Sequence, residues 1–144
     1  MTARGSAISL IVSQRRSGLG TSPPVNELIA ALERYGLRPE PIPIDQGSDP
    51  RDAARGALGR GAKTLVAAGG DGTISAVAST LLDSEAILGV LPTGTLNHFA
   101  KDLRIPLNIE DAARVVATGA VAKIDAGVAV DVHKRDEKDD DGEK

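Results

Sequence analysis

Three short runs of small aliphatic residues, each followed by a glycine-bearing turn, constrain this chain more than any other feature. The runs are Ala7 to Ser13, Lys63 to Ala68 and Ala86 to Leu91. The turns are Arg16-Ser17-Gly18-Leu19-Gly20, Gly69-Gly70-Asp71-Gly72-Thr73 and Pro92-Thr93-Gly94-Thr95-Leu96-Asn97. A brief apolar run without polar alternation reads as a strand buried on both faces. Helical patterns separate the runs. Val25, Leu28, Ile29 and Leu32 fall at i, i+3, i+4 and i+7, on a helix that starts near Ser22-Pro23-Pro24 and closes at Gly36. Asp49-Pro50 opens a second helix that runs to about Arg60, and Ile74, Val77, Ala78 and Leu81 repeat the spacing. Pro39 to Ile44, with its prolines, can only be a ragged or edge strand. A short helix is expected around Asn97 to Leu103. Asn108 then caps a last helix, with Asp111 at the capping-box position and Val115 and Val116 inward. Val121 to Val132 begins further strand structure. Strands alternating with helices imply parallel pairing and a three-layer α/β sandwich with a mainly parallel sheet.

Composition narrows the function classes. The 144 residues are room for one domain, and 41% hydrophobic content is enough for a core. Tyr35 and Phe99 are the only aromatics, so no platform exists for stacking bases, and 17 Lys and Arg against 20 Asp and Glu give no broad basic footprint. Nucleic acid is therefore not an expected partner. The absence of cysteine excludes disulfides, thiolate catalysis and Cys-based metal sites. No apolar stretch is long enough to span a bilayer. The run from Ala7 to Val12 leads into Gln14-Arg15-Arg16, not a small-residue cleavage site, and reads as a strand. The expected address is cytoplasmic, with any membrane contact peripheral. Residues 1–132 are expected to form the domain. Residues 133–144 include a run with six acids and four bases, which reads as a solvated, disordered tail.

The chemistry concentrates in the glycine turns. Glycines between a strand and a helix let backbone N–H groups approach a ligand, and the helix adds its positive end; together these suit a phosphate. In Gly69-Gly70-Asp71-Gly72-Thr73, Asp71 beside a phosphate makes sense if it holds Mg²⁺ or accepts a proton from an incoming hydroxyl. The alternative is a tight turn with a helix-capping Asp. The second turn places Gly94 between the hydroxyls of Thr93 and Thr95. If the strands are parallel, all three turns lie along one carboxyl edge of the sheet, where ligands of open α/β folds bind. Competing motifs fail. Gly70-x-Gly72-x-x-Ser75 lacks the third glycine of a dinucleotide fingerprint. Gly56 to Thr64 has an extra residue before Lys63 and precedes a strand, unlike a Walker loop. His98 and His133 are too few for a metal site, and His98 is expected to pack or bond locally. Ser75 and Ser79 have no histidine within reach by spacing.

GGDGTISAVASTLL and then GVLPTGTLNHFAKDLRIP resemble the diacylglycerol kinase catalytic-domain family, which includes bacterial lipid kinases and is related to sphingosine and ceramide kinases. The resemblance runs from about residue 7 to 132. GGDGT alone is shared with NAD kinases; the PxGTxNxFA pattern discriminates. The resemblance implies an NAD kinase/diacylglycerol kinase-like N-terminal fold, ATP as donor, Mg²⁺ as helper ion and a lipid hydroxyl such as that of diacylglycerol, met at a membrane surface, as acceptor. It implies nucleotide contacts at Ser17, Gly18, Gly69, Gly70, Gly72, Thr73, Thr93, Gly94, Thr95 and Asn97. Asp71 matches the family's acidic residue, as metal ligand or as the base that activates the hydroxyl. Three departures stand out. Gln14, Arg15, Arg16, Ser17 and Gly18 replace the usual Asn-Pro-x-Ser/Ala-Gly. His98 replaces the usual Asp. The family's C-terminal β-sandwich domain is expected to be missing, so the isolated chain should bind ATP weakly and transfer little phosphate. The remaining readings are a non-catalytic nucleotide-binding remnant and an NAD kinase-like enzyme. Self-association stays open.

Overall fold

The computed structural model describes residues 7–13, 16–17, 20–21, 23–45 and 47–122. In chain order these form β1 (Ile8–Ser13), β2 (Arg16–Ser17), β3 (Gly20–Thr21), α1 (Val25–Glu33), β4 (Glu40–Ile44), α2 (Pro50–Gly59), β5 (Thr64–Gly69), α3 (Asp71–Thr80), β6 (Ile87–Pro92), α4 (His98–Asp102) and α5 (Ile109–Thr118). Four strands make one parallel sheet in the order β4-β1-β5-β6. The chain leaves β1 in one direction to reach β4, then crosses back to place β5 on the other flank of β1. In open α/β sheets such a reversal marks the carboxyl edge at which ligands bind.

Side chains alternate between the two faces of the sheet, and each face has its own core. Leu10, Val12, Val66, Ala68 and Leu91 meet Leu28, Ala31 and Leu32 of α1 and Ala112 and Ala113 of α5. Ile11, Leu65, Ala67 and Val90 meet Ala54 and Ala57 of α2, Ile74 and Val77 of α3, and Ala100 of α4. Helices on both faces complete the expected three layers. This explains why the central strands read as unbroken apolar runs.

Most elements fall within a residue or two of expectation, and four departures are informative. The prolines ahead of α1 precede the helix instead of sitting in its first turn: Pro24 is extended (φ −61°, ψ 152°) and helical geometry begins at Val25. Val115 is 39% exposed, not inward. Adjacent helical residues point about 100° apart, so Val115 and Val116 cannot both face the sheet. Val116 takes the inward place against Gly89, where an added Cβ would lie 3.2 Å from its methyl carbons. Arg16 to Gly20 was expected as a glycine loop, yet the described residues there pair as an antiparallel hairpin, Arg16 with Thr21 and Ser17 with Gly20. Val121 and Ala122 lie outside any strand, and Val121 is 68% exposed. Ser22, Gly18, the rest of the expected strand over 123–132 and the charged segment 133–144 lie outside the described residues.

Candidate active site

Parallel pairing brings the ends of β5 and β6 side by side. Gly69 pairs with Pro92 at the last rung, and the Thr93 N–H donates to the Gly69 carbonyl at 3.0 Å. The two glycine turns therefore leave the sheet together, and they touch. A Cβ on Gly94 would lie 2.4 Å from the Cα of Gly70. No real side chain fits there, so backbone meets backbone. Gly69 is similarly closed: an added Cβ would be 2.8 Å from Cβ of Thr73, which is buried beneath it.

Gly72 differs from these. A Cβ there would meet nothing within 4 Å, and the residue is exposed. Internal packing does not require glycine at that position; it leaves open backbone in the first turn of α3. Gly70, extended at φ −88° and ψ −172°, occupies the N-cap position of this ten-residue helix. Its side-chain-free backbone leaves the first-turn N–H groups uncapped by any side chain, the arrangement that receives anions. Thr93 is half-buried and Thr95 exposed along the second turn. Ser17 lies in β2, and Gly18 falls outside the described residues.

Asp71 is the first residue of α3, but its carboxylate serves a different helix. Oδ2 accepts from the N–H of His98 at 2.9 Å and Oδ1 from that of Phe99 at 2.8 Å. These are the first two residues of α4. The Phe99 bond, followed by the His98 bond, holds the carboxyl below the usual carboxylate range; desolvation pushes the other way, and the charges of His98 and Lys101 help to lower it. A carboxylate so held is ionised at neutral pH and weakly basic. It suits a cation better than it suits proton abstraction. The expected helix-capping alternative is thus half right: Asp71 caps, but across the site and not on its own helix. His98 was expected to pack or bond locally; instead its backbone N–H bonds Asp71, 27 positions away, and the residue is exposed.

Asn97 is buried at 8% exposure, with its amide paired to Gly94 at both ends. Neither this clamp nor the Asp71 cap was read from the sequence. Local spacing assigns an asparagine ahead of a helix to capping that helix, and nothing local links positions 71 and 98.

Among the described residues no group of three or more His, Asp and Glu side chains could hold a metal by itself. A hollow of about 390 Å³ lies at the carboxyl end of β4, lined by Ile44, Asp45, Ser48, Asp49 and Asp52 among others. Its carboxylates would repel a polyphosphate.

Comparison with known proteins bears on this geometry. The family described as "Diacylglycerol kinase catalytic domain" matches residues 9–129. The chain is 34% identical over 120 residues to proteins named "Probable lipid kinase YegS-like" from Yersinia pestis (strain Pestoides F) and Yersinia pseudotuberculosis serotype O:1b (strain IP 31758). Each match covers 81% of this chain and 40% of the relative. Thus the chain spans about two-fifths of the length of these relatives. Among solved structures, a putative diacylglycerol kinase from Bacillus anthracis str. Sterne superposes with a TM-score of 0.61 at 20% identity, covering 78% of this chain and 39% of that one. A second structure of a diacylglycerol kinase from the same organism gives 0.62 at 21% identity, covering 76% and 39%. At these identities the structural likeness speaks to the fold.

Proposed function

The chain belongs to the diacylglycerol kinase catalytic-domain family, and from that premise we propose that residues 1–132 are the nucleotide-binding domain of an ATP-dependent lipid kinase, which passes the γ-phosphate of ATP to a lipid hydroxyl such as that of diacylglycerol. The observation that carries the proposal is the backbone contact between Gly70 and Gly94, which fuses two glycine turns into one cradle beside the uncapped start of α3. Phosphoryl transfer asks a protein mainly for positioning and charge stabilisation. The first-turn N–H groups at Gly72 and Thr73 receive phosphate oxygens, and the open backbone at Gly72 gives them room. Gly69, Gly70 and Gly94 shape the cradle; Thr93 and Thr95 supply uncharged donors. Ser17 and Gly18, which follow β1 in the chain, are further candidate contacts.

Asp71 fits a Mg²⁺ that arrives with the nucleotide, because this ion commonly binds one or two carboxylates and completes its shell with phosphate oxygens and water. The ion supplies charge neutralisation on the phosphates. The low basicity that the two N–H bonds give the Asp71 carboxylate favours its metal role over that of base. No helix among the described residues is long and apolar enough to cross a membrane; the lipid acceptor is met at the membrane surface.

Calorimetric titration with MgATP tests the reading directly. Saturable binding that weakens when EDTA removes the metal is expected, and no binding up to millimolar ATP would overturn it. Radiolabelled ATP offered with diacylglycerol and NAD tests the acceptor. Label passing to NAD would overturn the lipid assignment.

A further inference from the structure

An asparagine directly ahead of a helix ordinarily turns its side-chain oxygen onto the first free N–H groups of that helix. Asn97 does not, and makes no side-chain cap bond. Its backbone is left-handed, at φ 52° and ψ 45°. Its Oδ1 accepts from the Gly94 N–H at 3.0 Å, and its Nδ2 donates to the Gly94 carbonyl at 2.9 Å. Both ends of one planar amide thus close on the backbone of a single residue. That residue is the one pressed against Gly70. A local cap would have reached the N–H groups of Phe99 and Ala100; Asp71 takes that of Phe99 together with that of His98.

We propose that Asn97 is a positioning residue of the nucleotide site: its amide holds Gly94 against Gly70, and Asp71, by capping α4 in its place, leaves that amide free to do so. The inference rests on the nucleotide reading above, and it moves Asn97 from touching the nucleotide to shaping the cradle. The position demands tolerance of the left-handed region together with a donor and an acceptor on a short arm. Asparagine meets all three demands. Aspartate lacks the donor, glutamine has a longer arm, and glycine has no amide.

A double-mutant cycle on MgATP affinity, read by calorimetry, separates shaping from touching. Asn97→Gly keeps the backbone conformation accessible, adds no charge and removes the clamp; affinity should fall about tenfold or more. Gly94→Ala forces the turns apart by itself. Adding Asn97→Gly to it should then cost less than about twofold, because the two changes remove one shared arrangement. If Gly94→Ala abolishes binding, the exchange measurement below decides the clamp, since a Cβ on Gly70, 3.4 Å from the Cα of Gly94, would sit in ordinary contact and drive no wedge. Another tenfold loss in the double variant would mean that Asn97 touches the nucleotide, and would overturn the proposal. So would an Asn97→Gly protein that melts lower yet binds MgATP as the wild type does.

A second measurement needs no ligand. The Thr93 N–H bonds Gly69 at the mouth of the cradle. Its hydrogen exchange should quicken about tenfold or more in Asn97→Gly, with the amides inside β5 unchanged. Unchanged Thr93 protection overturns the clamp whatever the ligand does. Absence of MgATP binding by the wild type overturns the nucleotide reading alone, and the exchange measurement then decides the clamp.

Discussion

Asn97 and Asn108 occupy the same slot, one residue ahead of a helix, and use it in opposite ways. Asn108 is extended (φ −79°, ψ 130°), and its Oδ1 accepts from the N–H groups of Glu110 at 2.9 Å and Asp111 at 3.3 Å. It caps its own helix. Asn97 is left-handed, turns away from α4, and leaves the capping to Asp71, which is 27 positions from His98. One asparagine obeys local rules, and the other is taken over by the site. The contrast shows where local preference is overridden: at the cradle, where two turns must be held in backbone contact. It also shows how the override is made tolerable, since the N–H groups of His98 and Phe99 still find an acceptor.

The contrast breaks most visibly at Gly94. Gly94→Ala removes the reason for Asn97 to turn away, at an overpacking cost of about 1–3 kcal/mol. The melting temperature should fall by several degrees and MgATP affinity by more than tenfold; normal melting and binding would mean that the two turns need not touch. Asp71→Ala comes next. It should strip protection from the amides of His98 and Phe99, lower the melting temperature by less than Gly94→Ala, and remove metal-dependent tightening of ATP binding. Retained protection at both amides would show that α4 does not depend on the distant cap.

Acid sharpens the comparison. The Asp71 carboxyl is held below its ordinary value by the folded state. Its contribution is therefore complete above the unfolded carboxylate pKa of about 3.9 and is lost as pH falls through the lower, folded value. The His98 and Phe99 amides should lose protection only below about pH 4. Those of Glu110 and Asp111, capped by a neutral amide, should not follow. Parallel loss in both helices would point to general acid unfolding instead. Asn108→Ala should cost about 1 kcal/mol, seen as a small drop in melting temperature with nucleotide affinity unchanged. Smallest of all, Arg34→Gln removes an exposed ion pair with Glu110 between α1 and α5. It should change stability by less than about 1 kcal/mol, and a larger effect in denaturant titration would make that pair a structural link between the two helices.

Much of the fold was legible because its determinants are local. The apolar runs of β1, β5 and β6, the Asp49-Pro50 start of α2 and the Asn108 cap of α5 each depend on neighbours within a few positions. The prolines of β4 correctly excluded a central strand. The Val115 error came from placing two adjacent residues inward together, although Ile109, Ala112, Ala113 and Val116 fall at i, i+3, i+4 and i+7 and leave Val115 off that stripe. The site was legible in its residue types but not in its wiring. GGDGT reads as a candidate phosphate turn because glycine, acid and helix start adjoin in the chain. The meeting of Gly70 with Gly94, and of Asp71 with α4, depends on β5 and β6 being neighbours in register. Spacing along the chain carries no sign of which backbone N–H an acid will find 27 positions away.

The two prolines of β4 matter beyond the monomer's own ladder. β4 lies at one end of the sheet, with Pro41 beside Leu10 and Pro43 beside Val12. Alternate residues of a strand present their N–H and carbonyl groups to opposite flanks. With Glu40, Ile42 and Ile44 facing β1, the outer flank falls to Pro41 and Pro43, which have no N–H to offer. An incoming strand would find acceptors without donors, so this flank cannot template edge-to-edge aggregation. At the opposite end β6 carries Leu88, Gly89, Val90 and Leu91, with a proline only at its last residue, Pro92. Within the described sheet, any growth by strand addition is thus directed to one side, the flank of β6.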